Sequence, residues 1–138
     1  MYITPVTLQQ ANHFTAKVCK ECSPVDEQVF SIGCATNGKL IGAAIINYPT
    51  SPEYNDGLTL EVHRIYSTAG RSAYCMLYGA AARAAKAMGF CRIIASHPIG
   101  IPDSSLRAAG WKCVGPMETK ASFNDVQTLL CYERALMR

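Results

Sequence analysis

Residues 58–96 read LTLEVHRIYSTAGRSAYCMLYGAAARAAKAMGFCRIIAS and change periodicity twice. The first part, 58–66, is a long apolar, β-prone run and predicts a strand. From 71 to 88, Ala73, Leu77, Ala80, Ala81, Ala84 and Met88 recur mostly at intervals of three or four, with Arg83 and Lys86 at polar positions, which predicts a one-sided helix. Gly89 supplies its stop, because glycine takes up the left-handed turn that ends helices. The last part, 92–96, is a short apolar strand. Strand, helix and strand in this order predict a parallel pair joined by a right-handed crossover.

On either side the pieces are antiparallel in character. Residues 29–35 and 40–48 are apolar runs separated by Thr36-Asn37-Gly38-Lys39, and Asn-Gly tolerates the positive φ of a tight hairpin. Residues 2–5 form a first short strand. Residues 7–22 place Leu8, Ala11, Phe14 and Val18 on one helical face, with Ser23-Pro24 as the stop. The turn formers of 49–57 carry the chain into a surface loop. Asp103 caps a short helix through Ala109, closed by Gly110. Residues 111–114 and 128–135 are the last strands, with 116–125 as a polar connection. The sum is a mixed α/β sheet of six to seven strands, mostly antiparallel, flanked by helices and without internal repeats. One parallel unit in such a sheet creates a place where neighbouring strands splay, and ligands enter crevices of this kind at the strands' C-terminal ends.

With 138 residues the chain makes one domain, 1–138. Hydrophobic residues at 49% and charged residues at 17% exclude a disordered or coiled-coil protein. The longest uncharged apolar stretch, 40–52, contains Asn47, Pro49 and Pro52 and falls short of the roughly 20 apolar residues of a membrane span. The N-terminus lacks a basic region followed by an apolar core, so a cytoplasmic location is expected. Thirteen basic against ten acidic residues give +3, dispersed along the chain, which permits nucleic acid without indicating it. Cys34, Cys75, Cys91, Cys113 and Cys131 sit in apolar or helical patterns and read as reduced core thiols.

Chemistry concentrates in few places. The turn Ser67-Thr68-Ala69-Gly70-Arg71-Ser72-Ala73 exposes backbone N–H groups at the positive end of the long helix. Arg71 adds a guanidinium, and Gly70, Ser72 and Ala73 are small enough for a pyrophosphate to reach the main chain; the alternative is an ordinary strand-to-helix turn. Strand alternation puts Glu61 and His63 on one face. Cys19-x-x-Cys22, with His13 upstream, has metal or redox spacing, but a single such pair needs further ligands, so no metal is expected. His97, at the crevice mouth, reads as a loop residue, and Trp111 as core.

Phe30-Ser31-Ile32-Gly33, Leu60-Glu61-Val62-x-Arg64, Met76-Leu77-Tyr78-Gly79-Ala80-Ala81 and Ser105-Leu106-Arg107-Ala108-Ala109-Gly110-Trp111 together resemble the GNAT superfamily of N-acetyltransferases, in particular small phage-associated or mobile-element GNAT-like proteins. The resemblance covers most of the chain. It implies a sheet splayed between the fourth and fifth strands, with acetyl-CoA as acyl donor. It also implies main-chain contacts from Arg64, Ile65 and Tyr66 to the pantetheine, and pyrophosphate contacts from Gly70, Arg71, Ser72 and Ala73. The family's loop pattern, (Gln or Arg)-x-x-Gly-x-(Gly or Ala), falls on Thr68, Arg71 and Ala73, of which only Ala73 conforms. Glu61 is the implied base, with His63 tuning or sharing that task. The family's acid, a tyrosine, is replaced by Leu106, which leaves water, Ser96, Ser105 or Tyr66 to protonate the thiolate, or nothing. The function implied is direct acyl transfer to a small-molecule or protein amine. The alternatives are adenine modification of DNA by a Mom-type enzyme, or a non-catalytic binding protein. The last strands of such a sheet also offer an edge for a homodimer.

Overall fold

The computed structural model describes residues 1–122 and 125–136. Its elements are β1 (Tyr2–Pro5), α1 (Leu8–Val18), β2 (Phe30–Thr36), β3 (Lys39–Asn47), β4 (Thr59–Ser67), α2 (Arg71–Ala87), β5 (Arg92–Pro98), α3 (Ser104–Ala108), β6 (Lys112–Ser122) and β7 (Asp125–Ala135). The strands form a seven-stranded sheet in the order β1-β2-β3-β4-β5-β7-β6, in which the β4–β5 pair is parallel. The strand, helix and strand, their parallel pairing and the hairpin are as the sequence predicts, except that β5 runs on through His97, read from the sequence as a loop residue, to Pro98. Asn37 and Gly38 turn with φ of 52° and 78°, and Thr36 pairs with Lys39 across them.

Alternation along β3 divides the interior in two. Ala44 and Ile46 face α2 in the larger cluster, with Leu60, Val62, Leu77, Ile93, Leu106 and Trp111. Ala43 and Ile45 face α1, with Ala11 and Phe14. Gly42 leaves room for α2 against β3, since a Cβ there would meet Leu77 Cδ1 at 3.1 Å. Each helix therefore covers one face of the sheet. Asn12 ties the segment after α1 in place, its Oδ1 accepting from Val25 N and its Nδ2 donating to Val25 O, both at 2.9 Å.

Several expectations change. Helix α1 stops at Val18, four residues before the predicted end, and Cys19 turns to extended backbone. The side chains beyond it present no further apolar face to bury. On α2 the buried stripe runs through Ala73, Leu77, Tyr78, Ala81 and Ala85, so Met88 lies outside it and is exposed. Asp103 precedes α3 but makes no side-chain cap, its carboxylate being taken by Arg107 and Tyr132. Cys113 is exposed, whereas Cys34 and Cys131 are buried and all seven cysteines are free thiols. The polar connection predicted at 116–125 is strand as far as Ser122 and again from Asp125, with 123–124 outside the described residues. Among the described residues no helix is long and apolar enough to cross a membrane.

Candidate active site

The β4–β5 ladder runs Thr59↔Arg92, Leu60↔Ile93, Glu61↔Ile94 and Val62↔Ala95, and then stops. Both strands continue, β4 to Ser67 and β5 to Pro98. On the other side of β4 the register shifts at the same point. Ile46 pairs with Val62 and Ile45 with Arg64, so His63 is an extra residue with no partner on β3. Such a bulge bends a strand and increases its twist, and here it falls where β4 parts from β5. It also resets the alternation, so that Ile65 packs with the α2 cluster and Tyr66 with the α1 cluster. The gap is a cavity of about 490 Å³ walled on the β4 side by His63, Arg64, Ile65 and Tyr66. Ser96, His97 and Pro98 form the β5 wall, Tyr74 and Tyr78 of α2 lie across it, and Ser105 of α3 stands at one end.

Glu61 and His63 come together, with Nε2 of the histidine 3.6 Å from Oε1 of the glutamate. Only His63 reaches the cavity wall. Glu61 stands behind it, 8% exposed, with Oε1 accepting from Thr50 N at 3.0 Å. The loop predicted to run outward thus folds back at Thr50 to hold the carboxylate, a contact without a local sequence signal. His63 Nε2 lies 2.8 Å from Tyr48 O; a carbonyl only accepts, so this bond assigns the ring proton to Nε2. The imidazole is thereby fixed between Tyr48 and Glu61, with Nδ1 left to act as acceptor.

The candidate proton donors are placed differently from one another. Ser96 and Ser105 line the cavity, whereas Leu106 is wholly buried in the core beside Trp111. Tyr66 has its hydroxyl 3.0 Å from Cys22 Sγ, and hydrogen bonding to Cys19 and Cys22 together with burial raises the phenol well above its usual range. Tyr74 and Tyr78, one helical turn apart on α2, also face the cavity. Their spacing is visible in the sequence, but it merges with the helix's apolar stripe. Burial pushes the Tyr78 phenol up, and its ring meets Trp111 edge-on at 5.3 Å. On the β5 wall, the His97 ring meets Tyr132 edge-on, and the Tyr132 hydroxyl donates to Asp103 and is pushed up to about 12 by that bond.

The Cys19–Cys22 pair meets Tyr66 and nothing that completes a metal site: among the described residues no group of three or more His, Cys, Asp or Glu side chains could hold an ion.

At the start of α2, Gly70 has φ 76° and ψ −157° and makes no side-chain cap. The first N–H groups of the helix are therefore left for a ligand or water. Arg71 and Ser72 line a separate, wider hollow of about 910 Å³ on the outer side of α2, together with Arg83, Gly110 and Arg134. Ala73 is fully buried and can offer only its main chain.

No protein-family model matches the chain, and no curated protein matches it. Solved structures do, and they define the fold as that of the GNAT acetyltransferases. An N-acetyltransferase from Staphylococcus aureus superposes with a TM-score of 0.69 at 19% identity, over 99% of this chain and 98% of its own. A GNAT superfamily phosphinothricin acetyltransferase from Sinorhizobium meliloti, in complex with acetyl-CoA, gives 0.71 at 17%, over 97% and 87%. The aminoglycoside 6'-N-acetyltransferase of Enterococcus faecium gives 0.73 at 10%, over 100% and 98%.

Proposed function

We propose that the chain is an acyl-CoA-dependent N-acyltransferase that moves an acetyl or similar acyl group directly to an amine. The observation that carries this reading is the end of the β4–β5 ladder at Val62↔Ala95 while both strands continue around a cavity. Backbone groups of 63–67 lack β5 partners and suit an extended, amide-bearing arm laid in as an added strand. The uncapped N-terminus of α2 at Gly70 suits a pyrophosphate, with Arg71 and Ser72 beside it.

When bound, acetyl-CoA supplies the thioester carbon. The chain's own part is to position the amine against it, which by itself supplies much of the rate. His63 takes the amine proton, directly or through water, while Glu61 holds the ring and balances its charge. This inverts the sequence expectation, in which Glu61 acts and His63 assists. In the absence of a phenol at Leu106, a proton for the departing thiolate comes in this reading from water, relayed by the Ser96 or Ser105 hydroxyl on the cavity wall. Calorimetric titration with acetyl-CoA and with CoA tests the reading: saturable binding of both is expected, and no heat at millimolar ligand overturns it.

A further inference from the structure

Among the groups on the cavity wall, Arg64 is the one whose charge has no partner. Its Nη1 donates to the His63 carbonyl at 3.0 Å, while Nε is buried without a hydrogen-bond partner. Among the described residues no carboxylate lies within ion-pair distance of it, in contrast to Arg92, which meets Asp56 and Glu133, and Arg107, which meets Asp103. A buried guanidinium N–H left unpaired is costly, so an anion seated there recovers the loss. The fork of an arginine matches a carboxylate, which can take two of its N–H groups at once.

The position of this charge says what the anion belongs to. Because His63 is the bulged residue, Arg64 pairs with Ile45, whose side chain faces α1. Its charge is felt on that side: burial raises the Cys22 thiol, and Arg64 is among the groups that pull it back down. The guanidinium thus stands on the α1 side of the wedge, next along β4 from the imidazole that faces the amine. At about 3.3 Å of rise per residue, a group bound by Arg64 and an amine bound at His63 lie within one small molecule's length. The donor's arm occupies part of the same wedge, so the acceptor is left less than the whole cavity of about 490 Å³, itself toward the small end of ligand sites.

We propose that Arg64 anchors the acceptor by a carboxylate, so that the amine acylated by this protein belongs to a small amino acid and not to a neutral amine or a polycation. The inference rests on the acyltransferase reading, and its test is made separable from it by measuring acceptor binding without acyl donor. Glycine, L-methionine, L-phenylalanine and γ-aminobutyrate are titrated calorimetrically against wild type, each beside its carboxamide. At least one free amino acid is expected to bind about tenfold to a hundredfold more tightly than its amide, the usual worth of a charge-assisted pair. Arg64→Gln should abolish that preference with the fold intact by circular dichroism. Should that variant fail to fold, Arg64→Lys, which keeps a point charge without the fork, is expected to bind the same amino acid with most of the preference lost. Absence of binding by every amino acid, amides binding equally well, or a preference that survives both substitutions overturns the proposal. Amino acid binding without acetyl-CoA binding overturns the acyltransferase reading alone.

Discussion

Replacement of Glu61 separates a catalytic role from a structural one. The carboxylate is 8% exposed, accepts from Thr50 N at 3.0 Å and faces His63 Nε2 at 3.6 Å. Glu61→Gln keeps the shape and an oxygen for Thr50 but removes the charge that steadies a protonated imidazole. Its stability should stay within about 1 kcal/mol of wild type, because the one strong hydrogen bond is kept. Glu61→Ala removes that acceptor and strands a backbone N–H, at a cost of roughly 1–3 kcal/mol. For a chain of this length that is a fall in Tm of roughly 3–15 °C. Turnover should behave differently. Both variants lose the assistance to proton removal, a factor of about 10²–10⁴ or roughly 3–5 kcal/mol of barrier. The assay is thiol release from acetyl-CoA with an accepted amine, beside thermal melts of the three proteins. Glu61→Gln retaining turnover within about threefold, a factor below that of general base catalysis, would refute the reasoning. So would a melt as low as that of Glu61→Ala, since the carboxylate would then be holding the loop by its charge.

Two further outcomes follow from the geometry. Gly70→Ala meets open space but must adopt φ 76° and ψ −157°, a region essentially reserved for glycine. It should lose about 1–3 kcal/mol and weaken CoA binding as the N–H groups at the start of α2 turn away; an unchanged melt with unchanged calorimetry contradicts this. The Tyr132 phenol should titrate near 12 by ultraviolet absorbance, above its ordinary 10, because it donates to the Asp103 carboxylate. A raised pKa means that the contribution to stability is full below pH 10 and lost as pH climbs to about 12. Asp103→Asn should bring the titration down toward 10, and no movement would show that Asp103 is not its cause.

What the sequence makes legible is what repeats locally. The change of period across 58–96, the Asn37-Gly38 turn and the Gly89 stop each report backbone preferences that tertiary packing does not override. The end of α1 is illegible because Lys20, Glu21 and Cys22 suit a helix as well as a turn; what holds Cys22 is Tyr66, 44 residues away. The arm of β6 and β7 is misread because its far half carries charged and polar residues in place of an apolar alternation. The bulge at His63 leaves no trace either, since no glycine announces it, and with it goes the order in which His63 and Glu61 stand at the cavity. Thr50 belongs to the same class: a loop residue earns its role from a strand eleven positions on.

An unpaired strand edge is ordinarily a hazard, because a stranger's backbone can template on it and begin a fibre. In this sheet the open edges of β4 and β5 face each other in the middle, with β3 and β7 already bonded along their outer sides. A second polypeptide cannot come alongside without prising the sheet apart, while a slender chain end can slip in from one mouth. The fold therefore keeps the adhesive character of a free edge and hides it from the crowded solution outside.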